Sequence, residues 1–177
     1  MGWKAVKKHY NIGHNVAFFE GEGLCIGSGY IHGIIMIDPA SREITTCRSS
    51  RPGHFSNDDC QRYWDEIHSD LGKLWELIAQ PDVFSQNRPV FTYKGGDVIE
   101  CQCEEYGWPN VTHDGQMMYD NIFFENEVDA RAAGIRNAKA GIKSMERVVA
   151  QSEKELEERR GYLAEHRSDL AKLLPAA

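Results

Sequence analysis

The chain has 177 residues, of which 41% are hydrophobic and 27% are charged, and its formal net charge is −7 at pH 7. These totals are typical of a soluble globular domain, and no apolar run approaches the roughly 20 residues that a membrane helix needs. No signal-like stretch opens the chain, so we expect a cytoplasmic protein whose five cysteines are reduced thiols and do not form a disulfide framework.

The first ten residues are compatible with a short helix or a capping turn, and strand-like runs follow them. Short segments with turn chemistry, EGEG and DPAS, separate these runs. The pattern predicts an antiparallel meander of three or four strands, at His14 to Glu20, Leu24 to Gly27, Ile31 to Asp38 and Glu43 to Arg48.

The glycine-rich stretch CIGSGYIHGIIMID, residues 25 to 38, allows two interpretations. A phosphate-binding loop would need its glycines to open a helix, and here Gly33 precedes the β-branched run Ile34 to Ile37. Glycines in this setting permit positive φ angles or let another backbone approach closely. We therefore predict a bend between two strands.

An amphipathic helix is predicted over residues 57–79, with Ser56 as its N-cap and Pro81 beyond its end. Its apolar residues recur at the helical period and should face the core. They are Cys60, Tyr63, Trp64, Ile67, Leu71, Leu74, Trp75 and Ile78.

The second half of the chain predicts further strands and then a long helix. Gly95 and Gly96 mark a short hairpin between strands at 89–94 and 97–105. A last β-like stretch, at 110–113 and 117–124, turns at Asp114-Gly115. We expect an α+β fold in which one antiparallel sheet, from residues 14–48 and 89–124, packs against the 57–79 helix. The predicted domains are a globular domain at 1–125 and a helical extension at 126–177.

The helical extension has no proline between residues 126 and 174 and carries a heptad repeat. Apolar residues occupy the a position six times in succession, whereas only half of the d positions are apolar. Gly161 is a candidate break. The a residues should pack against the domain, against the other half of the helix, or against a second copy in a homodimer; they are Ile135, Ile142, Val149, Leu156, Leu163 and Leu170.

No motif for catalysis, metal binding or a cofactor is complete, so we predict a protein that is not an enzyme and binds no cofactor. Cys101 and Cys103 share one strand face and are expected to be core residues, since no second cysteine pair supports zinc. Cysteine–histidine nucleophile pairs remain an alternative, formed by Cys25 with His32 or by Cys47 with His54.

Acidic residues are concentrated in the segment 56–108, which holds eleven acidic and four basic side chains. Such a segment would repel free nucleic acid and would attract a protein or ribonucleoprotein with a basic surface. The alternative is that the charges only maintain solubility. The carboxylates expected to face a partner are Asp58, Asp59, Asp65, Glu66, Asp70, Glu76, Glu100 and Glu104.

Two stretches resemble small proteins encoded by bacteriophages: KKHYNIGHNV with GLCIGSGYIHGIIMID, and GWPNVTHDGQMMYDNIFFENEVDARAAGIRNA. They cover about a third of the chain and include no catalytic residue. The resemblance implies a phage accessory protein in the host cytoplasm that inhibits a defence system by binding, in the manner of anti-CRISPR proteins. The residues leave two alternatives, a small hydrolase or nuclease that uses Cys and His, and an assembly protein that multimerises through the coiled-coil helix.

Overall fold

The computed structural model describes residues 2–47 and 53–173. It confirms the α+β fold, with four helices and six strands in this part of the chain. The predicted ends at Arg48 and at residue 174 lie outside the described residues. In chain order the elements are α1 (Trp3–His9), β1 (Asn15–Phe19), β2 (Gly23–Gly27), β3 (Ile35–Asp38), β4 (Glu43–Thr46), α2 (Asp58–Ser69), α3 (Leu71–Ala79), β5 (Arg88–Lys94), β6 (Asp97–Cys103) and α4 (Glu127–Leu173).

Strands β1 to β4 form the predicted meander, an antiparallel sheet in which each strand pairs with the next. The glycine-rich stretch covers the end of β2, the connection at residues 28–34 and β3, so the expected bend between two strands is present. Its glycines allow close approach: a Cβ on Gly27 would overlap the carbonyl oxygen of His32, and one on Gly29 would lie 2.6 Å from the ring of Trp108. Neither position could accept a side chain without a shift of its neighbours.

The prediction of a single sheet is wrong, because β5 and β6 pair only with each other in a separate two-stranded hairpin. The stretch 110–124 contributes isolated bridges and no strand, among them Phe91 with Phe124 and Cys103 with Thr112. A hydrogen bond from the Phe18 amide to the Gly115 carbonyl, 2.7 Å long, ties this stretch to β1. The prediction of a β-like stretch at 110–124 is thus met only by isolated bridges, because pairing depends on contacts that the local pattern of residues does not specify.

The predicted helix 57–79 is two helices, α2 and α3, with Asp70 between them. Asp70 has non-helical angles (φ −148°, ψ 81°), and its carboxylate accepts a hydrogen bond from the Lys73 amide at 2.9 Å. It therefore ends one helix and caps the next. The cap of α2 is Asn57, whose side chain accepts from the Cys60 amide, and Ser56 is not the cap.

The apolar core contains residues of both helices together with residues of α1 and of the first sheet. Tyr63, Ile67 and Leu74 are fully buried, in agreement with the predicted stripe, whereas Leu71 is 41% exposed because it begins α3 immediately after the break. Leu77 is buried, although the stripe did not include it. Each large side chain buried here contributes about 1.5–3 kcal/mol before the entropy loss is subtracted.

The chain divides into two compact units, Met1–Arg131 and Ala132–Ala177, and the division falls inside α4. Helix α4 is continuous from Glu127 to Leu173, so the candidate break at Gly161 does not occur. At about 1.5 Å per residue its 47 residues extend for roughly 70 Å.

Candidate functional site

The most extensive exposed apolar feature is the line of six a residues along α4, called here the α4 row: Ile135, Ile142, Val149, Leu156, Leu163 and Leu170. Each of these side chains is between 49% and 59% exposed, and every residue from 135 to 173 is exposed. Isolated exposed apolar residues are common on proteins, but a row repeated at heptad spacing over five helical heptads is a pattern typical of a contact surface. The structure therefore places the predicted α4 row where a partner could cover it.

The d positions lie beside the α4 row on the same face of the helix. Together the a and d positions form the seam, which carries both apolar and polar side chains. Met145 and Leu173 are 62% and 81% exposed, whereas Ser152, Arg159 and His166 bring polar groups to the same face. Small residues pack only at the start of α4, where Ala130 and Ala133 are buried. Farther along the helix, Ala138 and Gly141 are exposed.

The eight predicted partner-facing carboxylates do not form one free surface. Glu66 accepts two hydrogen bonds from Arg62, at 3.1 and 3.2 Å, and Glu76 forms an ion pair with Lys73 at 3.0 Å. Asp70 is engaged as the cap of α3. These three carboxylates hold their own helices together, in addition to any role toward a partner.

Glu104 is the most strongly engaged of the eight. Lys4 Nζ lies 2.6 Å from one of its oxygens, and the backbone amide and hydroxyl of Ser85 donate to the other at 2.6 and 2.8 Å. These hydrogen bonds, that from Lys4 first, lower the pKa of Glu104 to about 2. Glu104 thus joins α1 to the segment between α3 and β5, and its charge is neutralised locally.

The remaining acidic residues are more accessible to a partner than the four residues described above. Asp58 and Asp65 are exposed and lie seven residues apart, on the same face of α2. Asp59 is exposed beside them, with Arg62 3.8 Å away, and Glu100 is exposed on β6. The accessible acidic surface of α2 is therefore formed by Asp58, Asp59 and Asp65.

A first cysteine–histidine cluster joins Cys25 to His32 through Glu22. The Cys25 thiol lies 3.8 Å from the Glu22 carboxylate, which contacts His32 Nε2 at 2.8 Å, and Phe19 stacks on the His32 ring. The pair Cys25–His32 was among the predicted alternatives, whereas the part of Glu22 in the cluster was not predicted. Burial raises the pKa of the Cys25 thiol, and the neighbouring Glu22 raises it further, to about 12. A nucleophile would need the opposite shift.

A second contact joins Cys60 to His14, with 4.0 Å between Sγ and Nε2, and the hydroxyl of Tyr63 lies 3.3 Å from His14 Nδ1. This pair was not anticipated, because its members lie 46 residues apart. Burial again raises the thiol pKa, with Asp59 adding to the shift. The other anticipated pair, Cys47 and His54, flanks the undescribed residues 48–52.

Cys101 and Cys103 lie on β6, as predicted, but their burial differs. Cys103 is fully buried, while Cys101 is only half-buried. Burial raises the pKa of both thiols. Within residues 2–47 and 53–173, no group of three or more His, Cys, Asp or Glu side chains is arranged to hold a metal ion.

An open groove of about 680 Å³ lies between β1 and the β5–β6 hairpin. Aromatic side chains line it, with the ion pair of Lys94 and Glu20 at its edge. The groove was not predictable from the sequence, since its walls come from segments that are far apart in the chain. Its aromatic residues are Phe18, Phe19, Tyr93, Tyr119 and Phe123.

None of the helices in the described ranges is both long enough and apolar enough to cross a bilayer. Comparisons with protein-family models, with curated proteins and with solved structures gave no match to this chain.

Proposed function

We propose that the protein is a structural assembly protein that self-associates through α4. The observation that carries this proposal is the exposure of the whole α4 row, since each of its six apolar side chains is about half accessible to solvent. Full burial of an exposed side chain of this size contributes about 1.5–3 kcal/mol, and these side chains are already about half covered, so each would contribute about half of that figure. Covering the row in both copies would still offset a substantial cost of association.

The stability of the helix itself supports the same proposal. Most helical stability in proteins comes from tertiary packing of an amphipathic face and not from intrinsic helix propensity. The residues of α4 beyond 134 are all exposed in the single chain. A second α4 would supply the packing that these residues lack.

The test is the mass in solution of the full chain and of matched variants, measured by analytical ultracentrifugation over a range of concentrations. The variant Leu156→Lys/Leu163→Lys places two charges in the α4 row, and we expect it to be monomeric where the parent is a dimer. The control Ala150→Lys/Ala164→Lys places the same charges at b positions, outside the seam, and should dimerise like the parent. A parent that stays monomeric at concentrations of about 100 μM would refute the proposal.

A second candidate is a phage accessory inhibitor that binds a basic host protein through the acidic surface of α2. The observation in its favour is the common exposed face of Asp58 and Asp65, with Asp59 beside them. Charges of this kind chiefly accelerate association and make it sensitive to salt.

This candidate is tested by pull-down from host lysate with Asp58→Lys/Asp65→Lys. We expect a specific partner to be lost from the variant and to be released by high salt. The control Glu157→Lys/Glu165→Lys makes the same charge change on α4 and should retain the partner. Equal recovery with both variants at high salt would exclude the acidic surface as the binding site.

A further inference from the structure

The charged residues beside the α4 row are arranged in a symmetrical order. At the four e positions from 146 to 167, which follow Lys139 at the first e position, two acidic residues precede two basic residues at seven-residue spacing, all of them exposed. These residues, called here the e row, are Glu146, Glu153, Arg160 and Arg167. Charges at e and g positions set the orientation of helix pairs, because they lie beside the apolar seam of the partner helix.

The e row is self-complementary when two copies of α4 run in opposite directions. In an antiparallel pair, e residues face e residues of the other helix, and a residues pack against d residues. If Leu156 packs against Arg159 of the second copy, then Glu153 faces Arg160 and Glu146 faces Arg167 of that copy. Two-fold symmetry repeats both contacts, so four attractive pairs and no repulsive e–e pair result.

A parallel, in-register pair would place fewer of these residues opposite a residue of the other charge. There e residues face g residues of the preceding heptad, which places Glu153 against Val148 and Glu146 against Gly141 of the second copy. Only Glu155 and Arg160 would form attractive pairs. Arg159 would also meet its own copy in a d layer, where like charges destabilise the contact.

Among the described residues of one chain, Arg160 is the e-row residue that lies near an opposite charge. Arg160 lies 3.8 Å from Glu157, whereas Glu146, Glu153 and Arg167 form no ion pair among the described residues. These three charges are thus exposed without an intrachain counterion, on the edge of an uncovered apolar seam. Charge complementarity therefore identifies a second copy of the chain as the occupant of this face.

We propose that α4 pairs with α4 of a second copy in antiparallel orientation, over residues 142–173, with the e row setting the register. This inference rests on the proposed self-association and adds its geometry. The overlap of 32 residues corresponds to a seam of about 48 Å.

A charge-swap series in the full chain separates the two orientations, with the dimer dissociation constant measured by analytical ultracentrifugation. In the antiparallel pair Glu153→Arg faces Arg160 twice, and we expect the dissociation constant to rise roughly ten-fold or more. In the parallel pair the same substitution faces Val148 and changes little. The control Glu165→Arg, at an outward c position, should leave the constant within about two-fold of the parent.

The double variant Glu153→Arg/Arg160→Glu provides the decisive comparison. The antiparallel arrangement restores the attractive pairs, so its dissociation constant should return toward that of the parent. In the parallel arrangement, Arg160→Glu would instead oppose Glu155, and the double variant would dimerise more weakly than the parent. A parent dimer that Glu153→Arg does not weaken, or that the swap does not rescue, overturns the antiparallel geometry and leaves self-association standing. A monomeric parent overturns both.

Discussion

Glu104 shows how a single carboxylate connects distant parts of the first unit. Its folded-state pKa of about 2 lies below the usual 4.5, because Lys4 and Ser85 donate hydrogen bonds to the ionised form. A lowered pKa means that the ionised group stabilises the fold above pH 4.5, and that this contribution is lost as the pH falls toward 2. The side chain is 24% exposed, so solvent screening reduces the contribution.

Glu104→Gln should therefore lower the free energy of unfolding at pH 7 by about 1–2 kcal/mol. The difference from the parent should shrink as the pH is lowered from 4.5 to 3, since protonation of Glu104 in the parent removes the same charge. Urea unfolding at a series of pH values measures both effects. The neighbouring Glu105→Gln, at an exposed site, should match the parent, and a difference for Glu104→Gln that is independent of pH would contradict the argument.

The cysteines should differ in reactivity according to burial. Cys25, Cys60 and Cys103 are at most 2% exposed, and burial raises the pKa of each thiol, which lowers the thiolate fraction at pH 8. We expect mass spectrometry after maleimide treatment to show modification of Cys101 before these three, which should react only on unfolding. Rapid labelling of Cys25 in the folded protein would contradict the described packing.

At the scale of elements, the interruption at Asp70 determines which apolar residues reach the core. Ile67, on α2, is fully buried, while Leu71, four residues later, is 41% exposed. We expect Ile67→Ala to cost about 2–5 kcal/mol and Leu71→Ala less than about 1 kcal/mol. Thermal unfolding of both variants measures the difference, and equal losses would indicate a continuous helix.

The cap itself can be tested at the same junction. Asp70→Ala removes the acceptor for the Lys73 amide and should destabilise the protein by about 1 kcal/mol. Asp70→Asn keeps an acceptor at this position, so it should retain most of the stability in urea unfolding. If the two substitutions proved equally damaging, charge and not capping would be the role of Asp70.

At the scale of the whole molecule, the two units should behave differently. Self-association through α4 depends on the protein concentration, whereas folding of the first unit should not. All four tryptophans precede residue 109 and therefore lie in the first unit, so near-ultraviolet circular dichroism reports chiefly on that unit. A chain that stops at Gly134 should keep this signal and melt within a few degrees of the full chain. Loss of the signal in this shorter chain would show that the first unit depends on α4.

Local chemistry determined a large part of this structure. The meander, the Gly95–Gly96 hairpin and the extent of α4 follow from alternation, turn residues and the absence of proline, which act over a few neighbouring residues. The heptad spacing of the α4 row is likewise a property of the sequence, and helical geometry alone places its members on one face. Such features could be predicted because no distant residue is needed to form them.

Contacts between distant residues decided the rest. The separation into two sheets, the link from Lys4 to Glu104 and the approach of His14 to Cys60 each join residues that lie far apart in the chain. The periodicity of the 57–79 segment also concealed the break at Asp70, because two short helices can present the same apolar spacing as one. Burial, hydrogen bonding and thiol pKa depend on which surfaces meet, and only the folded chain brings those surfaces together.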